Sequence, residues 1–105
     1  MQTNQIEAEV ANVRKKFDHD SAKQVLKEKY EAKMLFAAFG GMWKAGPELL
    51  SLLTAVGTTP EIVLVDEYGN PCKVTSLELY NMVATRWQEQ MNAWYAEFTE
   101  MQSKR

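Results

Sequence analysis

Tyr80, Val83, Trp87, Met91, Trp94, Phe98 and Met101 follow one another at three- and four-residue steps. That spacing places their side chains along one side of an α-helix, in an aromatic-rich stripe about six turns long. A chain of 105 residues that commits so long an element to its end keeps little sequence for a globular body. A domain of that size buries only about two-thirds of its unfolded surface in any case. The start of the helix is marked by Thr75 with Glu78 three residues on, a capping-box pattern, and by Val74, which can staple onto Leu79. Arg86, Gln88, Glu89, Gln90, Asn92, Glu97 and Glu100 mark the other faces, and the helix is expected to run to about Met101.

The opposite end of the chain is helical too. Ile6, Val10, Val13 and Phe17 are four, three and four residues apart, a narrow stripe that suits packing against one other helix more than burial in a deep core. Asn4 and Glu7 resemble a cap for this segment, and 1–17 is expected to project as an N-terminal helix. Asp18-His19-Asp20-Ser21 then supplies residues that favour caps, so a break or kink is expected there, with a second helix running to about Phe39. Ala22, Val25, Leu26, Tyr30, Met34, Leu35, Ala37 and Ala38 keep helical spacing through it, and Gly40-Gly41 is the expected stop.

Between these arms, Gly46-Pro47 is suited to open a short helix, because proline at the first position has no amide hydrogen to leave unbonded. Leu49, Leu50, Leu52, Leu53 and Val56 follow, and Gly57 closes it. Ile62-Val63-Leu64-Val65 reads as a strand, Tyr68-Gly69-Asn70 as a turn and Cys72-Lys73-Val74 as the returning strand. Two strands alone are marginal in water, so this hairpin must lie on helices or pair with another chain's edge. The expected fold is mainly α with one β-hairpin (α+β), as a single domain over 1–105. It comprises N-terminal helices, a short central helix, the two-stranded hairpin and a long C-terminal helix.

Chemistry is sparse. His19 is the sole histidine, so no histidine-rich metal site or His-containing triad assembles within one chain. Cys72 is the sole cysteine and has no activating neighbour in sequence, which fits a packing residue and a reducing compartment. Asp66, Glu67 and Asn70 lack the alternating acidic spacing of a calcium loop and read as a polar turn. Gly40-Gly41 and Gly46 do not form a phosphate-binding pattern, since Lys44 precedes Gly46; the loop is expected to let Met42 and Trp43 fold back onto the core, though an exposed Trp43 would be a good anchor for a partner. No enzyme activity, cofactor or metal is expected. A formal net charge of -2 gives no global attraction to nucleic acid or anionic lipid, and Arg14-Lys15-Lys16 sits among acidic residues. No apolar run reaches the roughly 18 to 20 residues of a membrane span, and Met1-Gln2-Thr3-Asn4 does not open a secretory signal, so cytoplasmic synthesis is expected.

Three tryptophans, four tyrosines, four phenylalanines and six methionines are a heavy apolar load for so thin a core. A stripe such as that of the last helix is more often core than ligand site. Here some of the apolar surface should be shared with another chain. Trp43, Trp87, Met91, Trp94, Phe98 and Met101 are the candidate partner-binding residues, in a homo-oligomer, a coiled coil or a larger assembly. Ile6, Val10 and Val13 either pack on that stripe within the chain or meet a neighbour.

The runs Met42-Trp43-Lys44-Ala45-Gly46-Pro47-Glu48-Leu49, Ile62 to Val65, Tyr68-Gly69-Asn70-Pro71 and Arg86-Trp87-Gln88-Glu89-Gln90-Met91-Asn92-Ala93-Trp94 resemble small uncharacterised proteins of tailed bacteriophages, especially T4-like phages of marine cyanobacteria. The resemblance covers roughly the last two-thirds of the chain. It implies a phage product made in the host bacterial cytoplasm, and a place in the virion if the role is structural; it transfers no functional residue. The leading expectation is a non-enzymatic phage structural or assembly protein acting through protein–protein contacts. The alternative is a phage-encoded regulator that binds a host protein or nucleic-acid machinery. Direct nucleic-acid binding through the Arg14 to Lys33 region is a weaker third.

Overall fold

The structure, a computed structural model, describes residues 2–57 and 59–104 along the backbone, and within the first helix it omits the side chains of residues 2–7, 12 and 15–17. The elements are α1 (Gln2–Lys33), β1 (Leu35–Ala38), β2 (Gly41–Lys44), α2 (Pro47–Val56), β3 (Glu61–Val65), β4 (Pro71–Thr75) and α3 (Ser76–Ser103). The class is α+β as expected, with two corrections to the elements.

The first concerns 18–21, where no break occurs. Asp18, His19, Asp20 and Ser21 lie inside the continuous α1. From 2 to 33 the chain holds neither glycine nor proline. Breaking the helix would open two new ends, each with unsatisfied backbone groups, against the modest penalty of a few weak helix formers. The Asn4–Glu7 cap lies on side chains outside the described residues.

The second correction is larger. Leu35 to Lys44, expected as the end of a helix and its glycine stop, is a β-hairpin pairing Leu35 with Lys44, Phe36 with Trp43, Ala37 with Met42 and Ala38 with Gly41. Its two-residue connection, Phe39-Gly40, takes positive φ at both positions (52° and 74°), as the tightest hairpin turns require. Phenylalanine is an unusual occupant of that conformation. What holds it is the body: Phe39 packs against the core, and the Trp43 indole N–H donates to the Ala38 carbonyl at 2.7 Å.

The expected hairpin, β3–β4, forms with Ile62 opposite Val74 and Leu64 opposite Cys72. The alternation is clean: Cys72 and Val74 are buried, Ile62 and Leu64 half-buried against the core, and Val63, Val65 and Lys73 exposed. α2 begins at Pro47 as read. Gly57 takes a positive φ of 68° but an extended ψ of -139°, so it ends the helix without the left-handed helical geometry. Thr75 precedes α3 in extended backbone but makes no side-chain capping bond. The start is instead fixed by burial: Val74 and Leu79 both lie in the core, the staple the sequence suggested, and the Ser76 hydroxyl reaches the Gly57 carbonyl at 3.5 Å.

Met34, Trp43, Ala45, Leu53, Cys72, Val74, Leu79 and Val83 form the buried cluster, with Phe36, Leu49, Leu50, Ile62, Leu64 and Trp87 packed around it. This body gathers α2, both hairpins and the first turns of α3. From it α1 and the rest of α3 run side by side and antiparallel as a two-helix stalk. The molecule measures 72 × 26 × 21 Å, with a radius of gyration of 20.5 Å; a compact chain of about 100 residues has about 13 Å.

Candidate protein interface

The aromatic stripe of α3 meets three environments along its length. Val83 is fully buried. Trp87 is half-buried and packs on the core, with Pro47, Leu50 and Ala55 sharing the same hollow on α2. Met91 lies at the exposed margin, where the body ends and the stalk begins. Beyond it, α1 covers the stripe. Tyr30 and Trp94 stack with ring centroids 6.0 Å apart and planes 6° from parallel. Phe98 and Met101 are half-buried, and Met101 lines a groove with Ala22, Val25 and Leu26. Trp94, Phe98 and Met101 thus face their own chain's α1.

Trp43 is the one partner candidate that folds back into the core, as the glycines around it allow. As an exposed anchor it would have suited a partner, but it is 2% exposed in the core, and its one polar hydrogen is taken by Ala38. Burial takes its large apolar ring out of water and so stabilises a core that is thin.

Polar contacts lock the stalk. The Lys29 ammonium lies 2.6 Å from a Glu97 carboxylate oxygen, and the Tyr30 hydroxyl donates to that same oxygen. The Glu97 carboxyl is held below the ordinary range by the bonds from Lys29 and Tyr30, in that order. In return Glu97 raises the pKa of both Lys29 and Tyr30. Lys33 sits over the Tyr30 ring at 5.1 Å, a cation–π contact. Further out, Gln102 reaches His19 at 3.4 Å.

Asp66 forms a second polar lock, between the hairpins. Its buried carboxylate accepts the backbone N–H of Met42 at 3.0 Å, of Asn70 at 2.8 Å and of Tyr68 at 3.0 Å. These bonds, Met42's first, hold its pKa below the ordinary carboxylate range. Glu67 N–H donates to the Met42 carbonyl at 2.9 Å, tying β2 to the β3–β4 turn. The Asp66 oxygens are thereby committed to backbone amides, and no group of three or more His, Cys, Asp or Glu side chains able to hold a metal ion occurs among the described residues.

The surface holds large apolar side chains that the stripe did not include. Leu77, Tyr68, Tyr95, Val63 and Val65 are all well exposed. Leu77 and Tyr80 wall a cleft of about 490 Å³ between the end of α2 and the start of α3, with Leu53, Gly57 and Pro60. The hydroxyls of Thr54, Thr59 and Ser76 at this cleft each donate to a backbone carbonyl, so its lining is mainly apolar contact surface. Tyr95 follows Trp94 in sequence and points off the stripe at 72% exposure. Leu77 and Tyr95 were marked in the sequence by falling outside the three- and four-residue steps of the stripe, whereas the uniformly apolar run Ile62 to Val65 does not show which of its faces is exposed.

Among the described residues no helix is long and apolar enough to cross a membrane. Comparison with protein families, curated protein sequences and solved structures finds no match to the chain.

Proposed function

We propose that the chain is a non-enzymatic contact protein, a phage structural or assembly component that works by presenting its stalk and the apolar faces of its body to other protein chains. The observation that carries this reading is the shape. A molecule with one thin core extends to 72 Å, and every described side chain from Ala8 to Asp18 of the projecting end of α1 is exposed. Ordering so much chain outside a core yields little burial in the isolated molecule; it becomes favourable where a partner covers it. The phage setting rests on the sequence resemblance of Met42 to Leu49, Ile62 to Val65, Tyr68 to Pro71 and Arg86 to Trp94. Synthesis in the host bacterial cytoplasm follows from that setting.

Mass spectrometry of purified particles tests the role. The protein is expected to remain with virions or assembly intermediates through gradient purification. Its recovery only as free protein in infected-cell lysate would contradict a structural role.

A further inference from the structure

The outer part of α1 carries its own apolar stripe. Val10 and Val13 are 50% and 69% exposed, and helix positions 6 and 17, held by Ile6 and Phe17 in the sequence, fall on the same face. At about 100° per residue, this face lies on roughly the opposite side of α1 from Leu26 and Tyr30, the buried residues on the stalk side of the helix. Continuing the line of α3 outward would lead over positions 8, 11, 12 and 15. The valine face therefore belongs to a different interface from the stalk.

The charges beside that face are self-complementary. In heptad terms Val10 and Val13 take the two core positions. Positions 7 and 14 flank them on one side and positions 9 and 16 on the other, and the sequence has Glu7, Arg14, Glu9 and Lys16 there. In an antiparallel pair of identical segments centred between residues 11 and 12, Val10 of one copy meets Val13 of the other, and position 6 meets position 17. Glu7 then lies near Arg14, and Glu9 near Lys16, each pair occurring twice by symmetry. Parallel pairing keeps a contact between Glu9 and Arg14 but sets Glu7 beside Gln2 and Lys16 beside Ser21, which leaves two of the four charges without a match. Exposed pairs of this kind contribute little affinity but do set partner and orientation.

We propose that the projecting end of α1 is a self-recognition arm that joins two copies of the chain in an antiparallel, two-fold symmetric coiled coil. This inference deepens the contact-protein reading and rests on it for its purpose, though not for its test. The overlap runs over residues 2–18, about five turns, and a seam that short makes the association reversible and concentration-dependent. Such an interface is isologous, so it closes at two copies and leaves the body and the clefts of both free for other partners.

Sedimentation equilibrium of the full chain over a broad concentration series tests this. The wild type is expected to pass from monomer to dimer. Glu7→Lys with Glu9→Lys, and separately Arg14→Glu with Lys16→Glu, are each expected to shift the dimerisation midpoint upward by tenfold or more. An equimolar mixture of the two variants is expected to recover dimerisation. Far-UV circular dichroism checks that each variant keeps its helix content. Orientation is read by mild oxidation: Val10→Cys mixed with Val13→Cys is expected to cross-link between unlike chains faster than either does with itself. Wild type that stays monomeric throughout the series, variants that dimerise as the wild type does, or preferential linking of Val10→Cys to itself would overturn the proposal. A monomeric protein still found in purified particles would sink the arm and spare the contact role. A dimeric one absent from particles and assembly intermediates would do the reverse.

Discussion

Gly41 is held in a space with no room for a side chain. A β-carbon there would lie 2.8 Å from the Cys72 sulfur and 3.0 Å from the β-carbon of Asp66, so the two hairpins approach through a glycine. Gly41→Val is expected to separate them and lower the thermal midpoint, measured by differential scanning calorimetry. Leu79, fully buried, is the residue on which the body closes, and Leu79→Ala is expected to cost about 2–5 kcal/mol in urea unfolding. Acid should act through Asp66 and Glu97. Their folded pKa values are depressed, so their stabilisation is present above the ordinary carboxylate range and disappears as pH falls below about 4. Lys29 and Tyr30 have raised values, so their share is present at neutral pH and lost in the alkaline range, as pH climbs through their folded values. Midpoints measured from pH 7 down to 2 should fall less steeply in Asp66→Asn and Glu97→Gln than in the wild type. Asp66 itself was legible in the sequence only as part of a polar turn. Its bond to the Met42 amide joins residues 24 apart, a distance that local pattern does not cover.

The elements differ in how plainly the sequence announces them. α2, β3, β4 and α3 carry signals the structure uses: proline at a helix start, a β-branched strand with a glycine turn, and a stripe of constant period. The segment 34–43 carries contradictory signals, because Ala37 and Ala38 favour helix while the turn rests on Phe39 and Gly40. Tertiary burial of Phe36 and Trp43 decides for a hairpin, and nothing within the segment announces it. At 18–21 the short polar residues suit a cap, but nothing in the backbone obliges the helix to end there. The candidate interface was legible as a stripe, but not as a stripe divided between core and stalk, since that depends on where α1 lies. Trp94 stacked on Tyr30 is the central element contact of the stalk. Trp94→Ala is expected to cost about 1–3 kcal/mol and to speed amide exchange in 19–33 and 94–103 while the body stays protected, as hydrogen-exchange mass spectrometry would read.

The whole molecule is long for the size of its core. The buried cluster draws on α2, the hairpins and the first turns of α3, and most of α1 lies outside it. A free chain of this form gains from partners what it lacks in interior. The most direct test is small-angle X-ray scattering across a concentration series. At infinite dilution the radius of gyration should lie near 20.5 Å. With rising concentration the maximum dimension should grow from the 72 Å of one copy toward about 120 Å, as arms overlap over about 25 Å. A concentration-independent radius near the roughly 13 Å of a compact chain of this length would contradict both the stalk and its role.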